Sequence, residues 1–293
     1  MGILAKETAQ LEAIIGVKAV TEDVIAATQM HRLTITLNRR DPMPKIGDPV
    51  PWGWHSIFFP RLMPTNKLSK DGMAAEFEDS PDSPLPRRMY AGNDLKFHEP
   101  LRIGDAAKKE IFVKSVTPKE GRTGKMIFVT YGINITGPRG LVMEDNQNIV
   151  FREDPPAGTK NTPPPGEVAK MDAPWKREMI VDEVMLFRFS AVTWNPHRIH
   201  YDRDYVTKVE GYPDLIVHGP FTAVLLLELV RDHLGAQKAG AMSGFSMRAK
   251  APLYANRKIT LLGEPSSDGK ACKLWAADER GMVAMEINAT FHS

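Results

Sequence analysis

The run FTAVLLLELV, Phe221 to Val230, is apolar on almost every side. A helix without a polar face has to be buried all round, so this chain must wrap other structure around these residues. His218-Gly219-Pro220 precedes the run, and His233-Leu234-Gly235 closes it. Proline in the first turn and glycine after the last are start and stop signals for a single helix. Strand-like segments follow: Ala241–Tyr254, Arg257–Pro265 with Lys270–Asp278, and Met282–His292. Ahead of the helix, EMIVDEVMLFRFSAV (Glu178–Val192) is rich in Val, Met, Leu and Phe with partial alternation, which predicts a strand. The second half therefore reads as strand, polar turn, buried helix, then an antiparallel meander.

The clearest break in the chain is Arg152–Asp172, with five prolines and two glycines. Such a segment builds neither helix nor central strand and favours an extended linker. It predicts an N-terminal domain over 1–151, a linker over 152–172 and a C-terminal domain over 173–293, each of ordinary domain size. The N-terminal half echoes the same order less clearly. It has a helix within Glu22–Leu37 and strands at Arg102–Val116, Lys125–Ile135 and Gln147–Phe151. One helix wrapped by an antiparallel sheet, occurring twice, is an α+β fold with internal pseudo-symmetry.

A net charge of +2, with no Arg/Lys run beside stacking aromatics, argues against nucleic acid as a partner. No stretch reaches the roughly 18 apolar residues of a membrane span. The N-terminus has neither a long apolar run nor an Arg-rich, acid-poor character, so no signal or transit peptide is expected. The single cysteine, Cys272, rules out an internal disulfide framework and a cysteine-based zinc site. Its apolar context makes it a core residue. A soluble, cytoplasmic protein with small-molecule partners is the expectation.

The chemistry concentrates in SAVTWNPHRIHYD, Ser190 to Asp202. His197-x-x-His200-x-Asp202 offers metal-ligand types, but nothing in the sequence commits the third or fourth strong ligand that zinc wants. Asn195-Pro196 starts turns well, and Thr193 and Asn195 are natural helix caps, so an ordinary polar turn is a second reading. The third is proton transfer. A histidine takes and gives protons near neutrality, and Gly219 opens a helix whose unpaired N–H groups stabilise a developing oxyanion.

The order T-x-N-P-x-x-x-H-x-D (Thr193 to Asp202), a loop, then HGPFTA before the apolar helix resembles the MaoC-type, or (R)-specific, enoyl-thioester hydratases. The likeness is greatest to their fused subgroup of type 2 hydroxyacyl-thioester dehydratases and of mesaconyl-C4-CoA (3-methylfumaryl-CoA) and itaconyl-CoA hydratases. It covers essentially the whole chain, but its specific part is Phe189–Tyr205 plus Ile216–Ala223. The resemblance implies a double hot-dog fold, two antiparallel sheets each wrapping a long central helix. The N-terminal hot dog would be dehydratase-like and the C-terminal one would carry the motif.

It also implies reversible hydration of an α,β-unsaturated acyl-CoA, such as a short C4-dicarboxylyl-CoA. The alternatives are a fatty-acid-type dehydratase, a hot-dog thioesterase and a non-catalytic thioester-binding module. His200 would be base and acid, Gly219 the oxyanion donor, and Asn195 with Thr193 the water-positioning pair. The common motif has Asp where this chain has Thr193, so either Asp202 or a residue of the other half would supply the carboxylate, or Thr193 and Asn195 would hold the water in its place. Arg248, Lys250 and Arg198 are candidates for the CoA phosphates, Arg198 also for a substrate carboxylate. His197 reads as a residue behind the site or on the surface. Trp52, Trp54 and His55 either line an acyl pocket or fill the core. No metal and no cofactor is implied beyond the CoA of the substrate. Assembly into a homo-oligomer stays open.

Overall fold

Strand pairing joins both halves of the chain into a single sheet. The structure, a computed structural model, describes residues 8–9, 12–74, 85, 87–121, 124–153 and 166–292. The first half contributes β1 (Lys18–Val24), β2 (Arg87–Phe97), β3 (Ala106–Gly121), β4 (Gly124–Gly137) and β5 (Gly140–Arg152). The second contributes β6 (Trp175–Ile180), β7 (Met242–Ala249), β8 (Lys258–Pro265), β9 (Ala271–Ala277) and β10 (Val283–Phe291). The order is β1-β3-β4-β5-β2-β7-β10-β9-β8-β6, and every pairing between these strands is antiparallel.

Counting outward from the β2–β7 seam, one half runs 2-5-4-3-1 and the other 7-10-9-8-6. Each strand has its counterpart five places on in the chain, so the strand topology carries the pseudo-symmetry that the sequence only hinted at. The two expected sheets are thus one, joined edge to edge with Asn93 opposite Met247 and Leu95 opposite Phe245. Pairing β2 with β7 removes two sheet edges at once.

Helices α1 (Ala27–Thr36) and α2 (Glu183–Thr193) follow β1 and β6 in the two halves. After them come the short α3 (Arg203–Lys208) and the long α4 (Gly219–Gly240). The apolar run does what its composition requires: all ten residues from Phe221 to Val230 are buried, with β6 to β10 around them. Gly235, the expected stop, has φ 77° and ψ 162°, a break after which a last helical stretch continues to Gly240. The N-terminal half departs from the expected plan. Among the described residues between α1 and β2, only short 3-10 turns at Trp54–Ile57 and Thr65–Lys67 occur, with no second long helix. The first of these turns packs on α4 itself, where fully buried Trp54 donates Nε1–H to Glu228 Oε1 at 2.9 Å.

Two segment assignments need correcting. Glu178–Val192 is not one strand: β6 ends at Ile180, and Asp182 then caps α2 by accepting from the Met185 amide at 2.8 Å. Buried Leu186, Phe189 and Val192 mark a helical face, while Phe187 stays 66 % exposed. In a segment apolar on nearly every side, the period could not separate the two forms. The helix expected within Glu22–Leu37 is present as α1, and the residues ahead of it, up to Val24, pair with β3. The strand expected from Arg102 starts at Ala106. The middle of the Pro-rich linker, 154–165, lies outside the described residues. Cys272 is buried in β9 as expected. No helix among the described residues is long and apolar enough to cross a membrane.

Candidate active site

The polar cluster sits where α2 ends. Trp194 adopts the left-handed conformation (φ 53°) and its amide returns to the Ser190 carbonyl, stopping the helix. Asn195 then accepts from the His197 amide at 3.0 Å, an Asx turn that Pro196 stiffens. A 3-10 turn, Arg198–His200, follows, and Asp202 caps α3 by accepting from the Tyr205 amide at 2.9 Å. These short-range bonds turn the chain so that His200 faces inward, 6 % exposed.

At His200, Nδ1 lies 2.7 Å from the Ile216 carbonyl. A carbonyl only accepts, so Nδ1 carries the proton and Nε2 keeps its lone pair. Among the described residues Nε2 has no protein partner. The ring stacks on His218 with centroids 3.6 Å apart, and His197 meets it edge-on at 5.4 Å. His218 is fully buried; its Nε2 bonds Ser190 Oγ at 2.8 Å, and its Nδ1 has no partner. Burial, reinforced by the neighbouring imidazoles, pushes His200 down to about 3 and His218 well below its ordinary value. His197 falls to about 4, again through burial, against the opposing pull of Asp71. All three rings are therefore neutral near pH 7, and His200 is in its base form.

His218 occupies the N-cap position of α4 without a side-chain cap bond, and the amides of Gly219 and Phe221, in the first turn, lack intrahelical acceptors. The N-terminal half closes over this end. A Cβ on Gly219 would lie 3.3 Å from the Tyr90 ring, which comes from β2. The loop 70–72 docks on the motif: Arg198 donates its amide to the Asp71 carbonyl at 2.8 Å and Nη1 to the Lys70 carbonyl at 3.0 Å. Gly72, at φ +89°, leaves no room for a side chain, since a Cβ would meet the Pro196 carbonyl oxygen at 2.2 Å. Gly72→Ala is expected to lift this loop off the motif. A displacement of about 1 Å lowers kcat by about 10²-fold, and the left-handed backbone costs about 1–2 kcal/mol. Initial rates and a melting curve check both.

The sequence-derived site residues separate into groups. His200 stacks on His218, the residue before Gly219, at the start of α4. Asn195 and Thr193 are held in local structure: the Thr193 hydroxyl donates to the Phe189 carbonyl at 2.6 Å. Asp202 takes Arg198 at 3.1 and 2.8 Å as well as its capping bond, so both carboxylate oxygens are occupied. Arg198 bonds Asp202 and the Lys70 carbonyl and so holds the loop. Lys250 is neutralised by Glu167 and Glu286 at 2.8 and 2.9 Å; Arg248 is exposed at the seam opposite Gly92. Trp54 fills the core, and half-buried Trp52, stacked on Phe97 at 4.0 Å, packs against it. His197 is largely buried inside the cluster. Ser190, His218, Tyr90 and Asp71 were not among the sequence-derived site residues. The HGP signal already contained His218, but its partners lie elsewhere in the chain.

The buried histidines have a consequence for stability. His55, His197 and His200 have folded values of about 4, 4 and 3 against 6.5 unfolded. Below pH 6.5 the unfolded chain takes protons that the fold refuses, so stability falls as pH drops toward 4. The slope reaches roughly 1.4 kcal/mol per pH unit for each group. Melting temperature is expected to drop steeply from pH 7.5 to 5. An unchanged value at pH 5 would mean that these rings accept protons within the fold.

Residues 53–255 match the family model described as hydroxyacyl-thioester dehydratase type 2. The chain belongs to this family. Type 2 hydroxyacyl-thioester dehydratases are hydro-lyases, and this protein is an enzyme of that class. It is 41% identical over 256 residues to the mesaconyl-C(4)-CoA hydratase of Chloroflexus aurantiacus, covering 87% of this chain and 89% of the relative. The mitochondrial type 2 hydroxyacyl-thioester dehydratase of Schizosaccharomyces pombe is 24% identical over 269 residues, covering 83% and 89%. Among solved structures, a MaoC-like dehydratase superposes with TM-score 0.71 at 15% identity, over 97% of this chain and 100% of the other. A Mycobacterium tuberculosis protein described as a double hot dog gives 0.58 at 11% identity, over 93% and 95%. At those identities the superpositions carry the fold alone, and the fold they give is the double hot dog.

Proposed function

We propose that the protein catalyses reversible hydration of an α,β-unsaturated acyl-CoA, with a short C4-dicarboxylyl chain such as mesaconyl-C4-CoA as its substrate. The observation that carries the reading is the free Nε2 lone pair of His200, held by the Nδ1–Ile216 bond beside the open amides of α4. In the forward direction Nε2 takes a proton from water as its oxygen bonds to the β-carbon. The C=C electrons move toward the thioester oxygen, where the first-turn amides of α4 at Gly219 and Phe221 stabilise the developing charge. The imidazolium then returns its proton to the α-carbon, so the elements of water are added and His200 is restored. No electrons are transferred, and the chemistry calls for no redox group.

The acyl chain is suggested by the similarity to the mesaconyl-C(4)-CoA hydratase. Itaconyl-CoA is the runner-up, and a fatty-acid-type hydroxyacyl thioester the next. Arg248 is the cation left for a CoA phosphate, since Lys250 already has two carboxylate partners. The test is a comparison of kcat/KM for mesaconyl-C4-CoA, itaconyl-CoA and crotonyl-CoA. A site built for the distal carboxylate is expected to favour a dicarboxylyl thioester by about 10²-fold or more. A preference for crotonyl-CoA would favour the fatty-acid reading instead.

A further inference from the structure

Protonating His200 in turnover creates a positive charge between two other buried imidazoles, His218 stacked on it and His197 edge-on. Where the common motif places an aspartate to balance such a charge, this chain has Thr193, whose hydroxyl is spent on the Phe189 carbonyl. Asp202 is spent on Arg198 and on the α3 cap. The first half of the chain brings a different carboxylate to the cluster. Asp71 accepts at Oδ1 from Ser69 Oγ and from the Met73 amide at 2.9 Å. Those bonds fix its orientation and leave Oδ2 3.7 Å from His197 Nε2. The loop that carries it is bolted to the motif through the backbone of Asp71 and Lys70 and by the close approach of Gly72 to Pro196.

We propose that Asp71, from the N-terminal half, is the carboxylate of the active site, a positioning residue that acts on His200 through His197. This rests on the hydratase reading above. Asp71 Oδ2 faces His197 Nε2 at 3.7 Å, so its charge favours the tautomer that carries the proton on Nε2. Its negative charge lies one imidazole away from the ring that takes the proton. Free-state contacts of this kind lie slightly beyond hydrogen-bond length and tighten when substrate fills the site. The charge relations agree: Asp71 raises the basicity of His197, while Arg88 opposes it. The acid lost at position 193 has thus been replaced from across the pseudo-two-fold, and the site needs both halves of the chain.

The test uses Asp71→Asn, because asparagine keeps Oδ1 for Ser69 and Met73 and presents an N–H₂ where Oδ2 was. By analogy with other sites in which a carboxylate orients a histidine, kcat is expected to fall by about 10²-fold or more, with KM within about twofold and the melting temperature preserved. The 15N shifts of His197 at pH 7 should move from the Nε2–H to the Nδ1–H tautomer, a change that a merely structural role would not produce. Asp71→Asn combined with His197→Asn should be no slower than His197→Asn alone. An Asp71→Asn enzyme with wild-type kcat, an unmoved tautomer, or losses that multiply in the double variant would overturn the proposal. The tautomer readout needs no substrate. If His200→Asn stayed fully active in the same assay, the hydratase site assignment would fail on its own, whatever Asp71 does.

Discussion

His200→Asn is expected to hydrate the thioester about 10³-fold more slowly than the wild type, with KM little changed. The figure is the middle of the range for removing a general base. Asparagine places an N–H₂ near the position of Nδ1, so the bond to the Ile216 carbonyl survives, and the lone pair at Nε2 is what disappears. The neighbouring rings cannot substitute. His218 has its Nε2 on Ser190 and lies flat against the His200 ring, and His197 meets that ring edge-on. Because His200 is neutral in the fold, its replacement leaves no uncompensated charge behind. A fall in kcat with an unchanged melting curve is therefore a catalytic effect, read directly from initial rates.

The largest effect on stability is expected far from that histidine, at Glu228. This carboxylate is 3 % exposed on the central helix. It accepts from Trp54 Nε1 at 2.9 Å and from Arg39 Nη1 at 2.5 Å, with Arg231 at 3.7 Å. Burial pushes its pKa up, and the two arginines pull it back. Glu228→Ala removes the shared acceptor, orphans the buried indole N–H and leaves the guanidinium of Arg39 short of a partner, at a cost of about 3–5 kcal/mol. Glu228→Gln keeps an acceptor for Trp54 and should cost less. Denaturant melts of the two variants separate these terms. The same pair bears on function. A central-helix carboxylate is where a hot-dog thioesterase would place its catalytic acid, but this one is locked into joining the first half of the chain to α4. Hydratase activity should survive Glu228→Gln.

What could be read in the sequence and what could not follow from one physical distinction. Signals carried by neighbours in the chain were legible. The all-round apolar run with its Pro and Gly ends gave α4, and the composition around Cys272 gave a core strand. HGP before that run marked the start of α4 at Gly219. The resemblance pointed to His200, which the fold buries against His218. The same kind of signal misled at Glu178–Val192, where a true strand runs straight into a helix apolar on nearly every side, and only the Asp182 cap marks the change. Relations set by the tertiary fold were not legible. Asn195, Thr193, Asp202 and Arg198 have side chains suited to catalysis, yet the fold uses them for turns, caps and one ion pair. Asp71 and Tyr90 belong to a half with no recognisable motif. They reach the site only because β2 pairs with β7 and the loop after Lys70 docks on Pro196.

The central claim is that a neutral His200 and the α4 amides add water across a conjugated thioester without breaking the thioester bond. The most direct measurement follows the enoyl-thioester absorbance of mesaconyl-C4-CoA with the wild-type enzyme, alongside a free-thiol assay on the same sample. Loss of the enoyl band with no thiol released is the predicted result. Thiol release in step with the absorbance change, or an enoyl band left untouched by active, folded enzyme, would contradict it.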